Sequence, residues 1–370
     1  MKSGRALVTV VVVILLSLTA IYWVMDNYNS NQISNPFQQY YIPQSINMSF
    51  ARNFTFSTPS NGQGYYFFYI TIPQNSSLQN GNVRIVHSSN MEETLSNKNG
   101  REFITMKIYP GQAYANFTYN FKTYGQNWQD IVPESGNVSQ IPSYLKQEYD
   151  HAEYFNTTGS NKSYEVIDPS YFRNMTINIT KNDTTVASKL RAIYNFIVQN
   201  FKYNITYNLG NIPLTAEQVY NDRIGDCEEL SYLFESMSRS IGIPSWTQYG
   251  LLIQQQGGGI SIGQHAWIQT YVPLLNGSGE FVNIDLTVEV GGQDLGRGFF
   301  VKYPNSLTEW TDNGNSTDMV AYHEFLMYPS FGLGTISTNE TDYVFTFSQQ
   351  GIININTTSF PIIIQEADRK

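Results

Sequence analysis

The hydrophobic period of this 370-residue chain changes twice, and nothing else constrains its fold as strongly. Between about residues 40 and 179, short alternating runs are broken by Asn, Gly, Pro and Ser. Examples are Tyr65-Tyr66-Phe67-Phe68-Tyr69-Ile70, Phe103-Ile104-Thr105-Met106-Lys107-Ile108 and Ala115-Asn116-Phe117-Thr118-Tyr119-Asn120-Phe121. Period two at this spacing predicts an antiparallel β-sandwich. Residues 143–170 read as an extended connection. At Asp183 the period lengthens. Val186, Leu190, Ile193, Ile197 and Phe201 fall on one helical face, with Asp183 or Thr184 as N-cap. Thr215 is expected to cap a short helix through Tyr220. A third helix starts near Cys227 and ends at Gly242, with Ile243-Pro244 as the stop. Strands resume at 246–253, 260–272 and 281–287. Helices followed by an antiparallel sheet make this segment α+β. The expected organisation is an N-terminal β-sandwich domain (40–180), an α+β core (181–292) and a C-terminal β-rich extension (293–370).

The N-terminus carries a different signal. Residues 6–24 hold no charge, and nineteen helical residues span about 28 Å, close to bilayer hydrocarbon thickness. Tyr22 and Trp23 sit where interfacial aromatics belong, and Lys2 and Arg5 favour a cytoplasmic N-terminus. Residues 1–25 therefore read as a cytoplasmic tip and transmembrane signal anchor, and 26–39 as a tether. A cleaved signal peptide is the alternative, although its apolar core is usually shorter. Either way, the bulk of the chain is expected outside the plasma membrane.

About fifteen Asn-x-Ser/Thr sequons, among them Asn47, Asn53, Asn75, Asn116 and Asn339, make N-glycans an expected addition. Net charge is −9 and 14% of residues are charged, which argues against a nucleic-acid partner. The single cysteine excludes an internal disulfide. No cofactor is implied. His87, His151 and His323 are isolated and no metal-ligand spacing occurs, so no metal is expected. The run from Asp312 to Asp318 has the composition of a calcium loop without its spacing, and reads as an exposed turn. Gly257-Gly258-Gly259 reads as a flexible loop.

The lone thiol, Cys227, falls in the first turn of a predicted helix after Gly225-Asp226. There the positive end of the helix dipole favours a thiolate. Downstream, His265, Trp267, Gln269 and Tyr271 share one face of a predicted strand. Folding the chain back about residue 275 puts Asp285 opposite His265, give or take a residue or two, on the same face. A thiol, an imidazole and a carboxylate in this order are the parts of an activated nucleophile. Cys227 would attack, His265 would move the proton, and Asp285 would orient the ring. The backbone N–H of Cys227 is one expected oxyanion donor; Tyr203, Tyr207, Asn208 and Trp246 are candidates for a second.

These blocks resemble the core of the transglutaminase-like superfamily. Gly225-Asp226-Cys227 and Gly242-Ile243-Pro244 resemble its nucleophile helix and that helix's end. His265-Ala266-Trp267 with Tyr271 resembles its histidine strand, and Asp285-x-Thr287 its aspartate strand. Three positions depart from the family pattern: Leu286 replaces a proline, Trp246 a basic residue, and Phe281 a tryptophan. The resemblance implies a papain-like α+β core with Cys227, His265 and Asp285 as catalytic residues. It also implies attack on an amide or peptide carbonyl of a protein or peptide substrate through a thioester, with hydrolysis favoured here over cross-linking. A non-catalytic surface binding or scaffold protein is the competing expectation.

Overall fold

The computed structural model describes residues 37–58, 64–98, 101–156, 162–205, 212–256, 259–290, 296–315, 328–329 and 336–358. The expected tip, anchor and tether at 1–36 lie outside the described residues, as do Tyr207, Asn208, Gly257, Gly258 and His323. Among the described residues no helix is long and apolar enough to cross a membrane.

Seven strands come first: β1 (Phe37–Ile42), β2 (Ser45–Ser57), β3 (Tyr66–Thr71), β4 (Gln79–His87), β5 (Met91–Lys98), β6 (Arg101–Ile108) and β7 (Gln112–Tyr124). A short β8 (Gln126–Asn127) and helix α1 (Ser143–Tyr149) lead to the hairpin of β9 (Glu153–Asn156) and β10 (Ser163–Ile167). Helices α2 (Pro169–Ile179) and α3 (Val186–Asn200) follow. Next come β11 (Lys202–Tyr203), α4 (Ala216–Asp222), β12 (Ile224–Gly225) and α5 (Cys227–Ser240). The last group is β13 (Ser245–Gln256), β14 (Gly259–Pro273), β15 (Gly279–Ile284), β16 (Val301–Lys302), β17 (Ser306–Thr311), β18 (Tyr328–Pro329), β19 (Ser337–Gln350) and β20 (Ile353–Thr358).

Two four-stranded sheets, ordered β19-β2-β7-β4 and β18-β3-β6-β5, face each other. Alternation drives this packing. Along β7, Ala113, Ala115, Phe117, Tyr119 and Phe121 point inward while their neighbours point out. Phe50, Phe54, Phe56 and Phe68 meet them, with Phe50 stacked on Tyr119 at 4.6 Å. Each fully buried ring of this kind stabilises by roughly 1.5–3 kcal/mol. The outer strand β19 is a finding that runs across the expected division of the chain. The segment after 293 supplies a strand to the N-terminal sandwich, pairing Ser337–Gln350 with Ser45–Ser57, while β20 pairs with β1.

The α+β portion is built on an antiparallel sheet ordered β15-β14-β13-β17. Helix α5 lies across it and is buried from Glu228 to Ser240, because α2, α3 and α4 cover its other side. Leu251 and Ile253 of β13 and Leu307 of β17 run on into the sandwich core, so the two parts share apolar packing.

Three local expectations need correcting. Residues 143–170 are not simply extended: α1 forms there, burying Leu145 and Tyr149. Residues 169–179 form a helix rather than a strand. Asp168 accepts hydrogen bonds from the N–H groups of Ser170 and Tyr171, and Pro169 starts the turn. The α3 cap is Thr185, whose hydroxyl accepts from the Ser188 N–H, rather than Asp183 or Thr184.

Candidate active site

The nucleophile helix is set at both ends. At its start, Asp226 Oδ1 accepts from the N–H groups of Glu228 and Glu229, each at 3.0 Å. Glu229 answers by accepting from the Asp226 N–H at 3.1 Å, completing a capping box. Its other oxygen takes the Leu214 N–H at 2.9 Å, tying in the strand-to-helix connection. Burial, then the charges of Glu229 and Glu228, push the Asp226 carboxyl up to about 6. This geometry puts Cys227 at the first helical position, half-buried, against Tyr249, Ala266 and Trp310.

Ser231 Oγ donates to the Cys227 carbonyl at 2.7 Å. Two residues before the helix, Gly225 pairs in parallel with Tyr203. This brings Tyr203, one of the expected oxyanion donors, beside the thiol. Burial, the charges of Cys227, Asp226 and Asp285, and a hydrogen bond with Cys227 all raise its hydroxyl above the usual tyrosine range.

His265 comes from β14 and is almost fully buried. Its Nε2 meets Asp285 Oδ2 at 2.8 Å. Burial alone would lower the imidazole. The Asp285 charge and hydrogen bond, and hydrogen bonding and charge from Cys227, outweigh it and raise the ring to about 10. The ring thus interacts with both expected partners. Asp285 is not on the strand as expected. β15 stops at Ile284, and Asp285 caps a 3-10 turn, Leu286–Val288. Its Oδ1 accepts from the Thr287 N–H at 3.0 Å and the Thr287 hydroxyl at 2.7 Å. Burial would raise this carboxyl, but His265 and Thr287 hold it below the usual aspartate range.

Trp246, the other oxyanion candidate, is placed elsewhere. Its Nε1 donates to Gln269 Oε1 at 3.0 Å, and its ring stacks on Tyr149 at 4.3 Å. On β13 it pairs with Gln269, whereas Gly250 pairs with His265. Four residues of strand, roughly 13 Å, separate those two levels.

Two other features carry no signature in the sequence. Behind His265 lies a cavity of about 240 Å³ that Trp267, Asn283, Asp285 and Lys302 help to line. Gln248 Oε1 accepts from both Trp267 Nε1 and Asn283 Nδ2, tying together two of its lining side chains. At the far end of α5, Glu153, Glu235 and Asp312 bring carboxylate oxygens within 4.8 Å of one another. Arg239 occupies their centre, 2.5 Å from Glu153, 2.9 Å from Glu235 and 3.7 Å from Asp312. A guanidinium already fills the place a cation would take. Asp312 is therefore buried, not part of an exposed turn; its Oδ1 accepts from the Gly314 N–H at 3.0 Å.

Among solved structures, a protein from Cytophaga hutchinsonii described as a "Putative Cysteine Protease" aligns with a TM-score of 0.56 at 13% identity. The alignment covers 86% of this chain and 99% of that one. At this identity the likeness is one of fold. The periplasmic domain of TgpA from Pseudomonas aeruginosa aligns with a TM-score of 0.33 at 13% identity, over 66% of this chain and 90% of that one. Red sea bream transglutaminase gives 0.30 at 11% identity, over 72% of this chain and 50% of its own. No curated protein matches the sequence significantly. The family model of the transglutaminase-like superfamily matches residues 173–286, the segment that holds Cys227, His265 and Asp285.

Proposed function

We propose that this protein is a thiol acyl-transfer enzyme acting on amide or peptide carbonyls of a protein or peptide substrate. The observation that carries the reading is the position of the His265 ring, bound through Nε2 to Asp285 and interacting with Cys227. With Nε2 committed, Nδ1 is the nitrogen left to exchange a proton with the sulfur. A cationic ring beside a cysteine at a helix N-terminus is the arrangement that activates thiols.

In the first step, Cys227 Sγ bonds to the carbonyl carbon. As the tetrahedral adduct collapses the C–N bond breaks, and the amine leaves with a proton from His265. In the second, His265 takes a proton from water, the oxygen attacks the thioester, and the acid product departs as Sγ is released. An amine in place of water would give transfer. We favour water, because it is the acceptor that is always present. The Cys227 N–H heads the helix while Asp226 takes those of Glu228 and Glu229. It and the Tyr203 hydroxyl are assigned to the developing oxyanion. The apolar run at 6–24 is assigned to a membrane anchor, with the enzyme outside the plasma membrane and its sequons open to glycosylation.

Incubating the protein with a peptide library tests this reading, with and without an added primary amine. Cleavage that disappears in Cys227→Ala supports hydrolysis, and amine incorporation supports transfer. Neither product, together with a Cys227 alkylation rate no faster than that of an unfolded cysteine, would return the protein to the scaffold reading.

A further inference from the structure

The cavity behind His265 makes two chemical demands that its own lining leaves unmet. The first comes from an acceptor. Trp267 Nε1 can only donate, so the Gln248 atom facing it at 2.8 Å is the carbonyl oxygen. That oxygen also faces the Asn283 amide at 2.9 Å, so the Asn283 atom there is Nδ2. The remaining atom of this amide is therefore Oδ1, and it is buried with no hydrogen-bond partner. The second demand is a charge. Lys302 Nζ donates to the Ser306 carbonyl at 3.0 Å, to the Ser306 hydroxyl at 3.2 Å and, at 3.5 Å, to the Tyr303 carbonyl. All three acceptors are neutral. Ser306 and Tyr303 both line the cavity, so the ammonium lies at its wall. Among the described residues no carboxylate pairs with it, and burial alone pulls it down to about 7. His265 and Asp285 supply no net counter-charge, because each neutralises the other.

We propose that this cavity binds the carboxyl-terminal residue of a peptide. The terminal carboxylate answers Lys302, the amide N–H of the same residue answers Asn283 Oδ1, and its side chain meets Leu252, Val288 and Val301. At about 240 Å³ the cavity falls below the roughly 300–1,000 Å³ usual for ligand pockets, which suits a single residue. Depth sets the direction of entry. Asn283 and Lys302 are 1% and 3% exposed, whereas Leu252, Tyr303 and Asn305 are half-buried and Gln254 is exposed. The charged end therefore goes to the floor, and the rest of the peptide leaves over the rim. An amino terminus would bring an ammonium to Lys302, and a metal cation would meet the same repulsion. A fatty acid would satisfy Lys302 but leave the buried Asn283 oxygen without a donor.

Binding here goes beyond the acyl-transfer reading and does not require it. Where both hold, the terminal residue occupies a cavity that His265 and Asp285 themselves line, and peptides with a free carboxyl end are favoured over amidated ones.

The test uses the full chain carrying Cys227→Ala, so that no probe is turned over and the result stands apart from acyl transfer. N-acetyl alanine, valine and leucine are titrated by calorimetry, each beside its carboxamide. Propionate, isovalerate and isocaproate serve as the matching carboxylates without the N–H. The expected result is saturable binding of at least one N-acetyl amino acid in the millimolar range. Amidating its carboxyl, or adding Lys302→Met, should weaken binding about tenfold or more, as for a lost charge-assisted hydrogen bond. The plain carboxylate should bind several-fold more weakly. Methionine keeps the apolar stem and removes only an unmatched buried charge, and the acid-to-amide comparison needs no further variant. No saturation by any N-acetyl amino acid, equal binding of acid and amide, unchanged binding in Lys302→Met, or a plain carboxylate that binds as well as its N-acetyl counterpart would overturn the proposal.

Discussion

His265 and Asp285 bond at 2.8 Å although they are not opposite each other in the β14–β15 ladder. The ladder pairs Ile268 with Ile284, so its continuation would set Thr287 across from His265. Asp285 reaches the ring diagonally, from the first residue after the strand. Diagonal neighbours on one face lie roughly 7–8 Å apart at Cα, within reach of an imidazole and a carboxylate. The turn then holds the carboxylate by its other oxygen through Thr287.

Removing that carboxylate should leave a buried imidazole with only Cys227 to hold its charge. In Asp285→Ala the ring should titrate far below its present value of about 10. Turnover should fall about 10⁴-fold, in line with triads that lose their carboxylate. Ring titration followed by NMR, alongside peptide cleavage, checks both. An unshifted ring would contradict the pairing.

Alkylation by iodoacetamide reads the thiol directly. At neutral pH, Cys227 should react much faster than a free cysteine, and His265→Ala should slow it by about 10²-fold or more. Equal rates in parent and variant would mean the imidazole does not activate the sulfur.

Tyr203→Phe should separate activation from oxyanion binding. The hydroxyl adjoins the sulfur. Its loss should therefore lower kcat by about 10²-fold, with alkylation changed far less. A comparable fall in both rates would move Tyr203 from oxyanion binding to thiol activation.

The buried group at the end of α5 sets a pH dependence of stability. Burial, partly offset by Arg239 and Thr247, pushes Glu235 up to about 8, and burial also drives Asp312 well above the aspartate range. A carboxyl raised in the folded state favours folding fully below its unfolded value, near 4.5 for glutamate. That contribution is lost as pH rises through about 8. Urea midpoints should therefore fall between pH 5 and pH 8 by an amount worth a few kcal/mol. Glu235→Gln should flatten this slope. His265 runs in parallel at higher pH: its contribution is complete below 6.5 and lost as pH rises through about 10.

Gly250 supplies a test of packing under the histidine strand. A Cβ there would come within 1.9 Å of the Leu307 carbonyl oxygen, at the bulge where β13 pairs with β17. Gly250→Ala should cost about 1–3 kcal/mol or more, since the obstacle is backbone. It should also disturb His265, its partner on β14. Unchanged stability would imply that β17 can shift without penalty.

The parts that the sequence revealed were those written in short-range chemistry. Gly225-Asp226 before Cys227 is a cap signal, and the stripe through Leu230, Phe234 and Met237 is a period, so α5 was legible nearly to the residue. Helix α2 was not, because only Phe172 and Thr176 of its eleven residues are buried and leave no stripe to count. Asp285 was placed on a strand because alternation cannot register where pairing stops. Trp246 was misplaced for a related reason. It lies on the strand that follows α5, and sheet register sets it four residues from Gly250, the partner of His265. The Glu153–Glu235–Asp312 group draws on segments far apart in the chain, and no local pattern marks it.

The pairing of β1 with β20 sets Phe37 against Thr358, and β19 closes a sheet whose other strands are made more than two hundred residues earlier. A ribosome therefore releases the α+β portion before the sandwich can complete its hydrogen bonding. Until then the free edge of β2 stands open to strands of neighbouring nascent chains. The same closure brings the two extremities of the described polypeptide side by side, where a short splice could join them and let new ends be cut elsewhere.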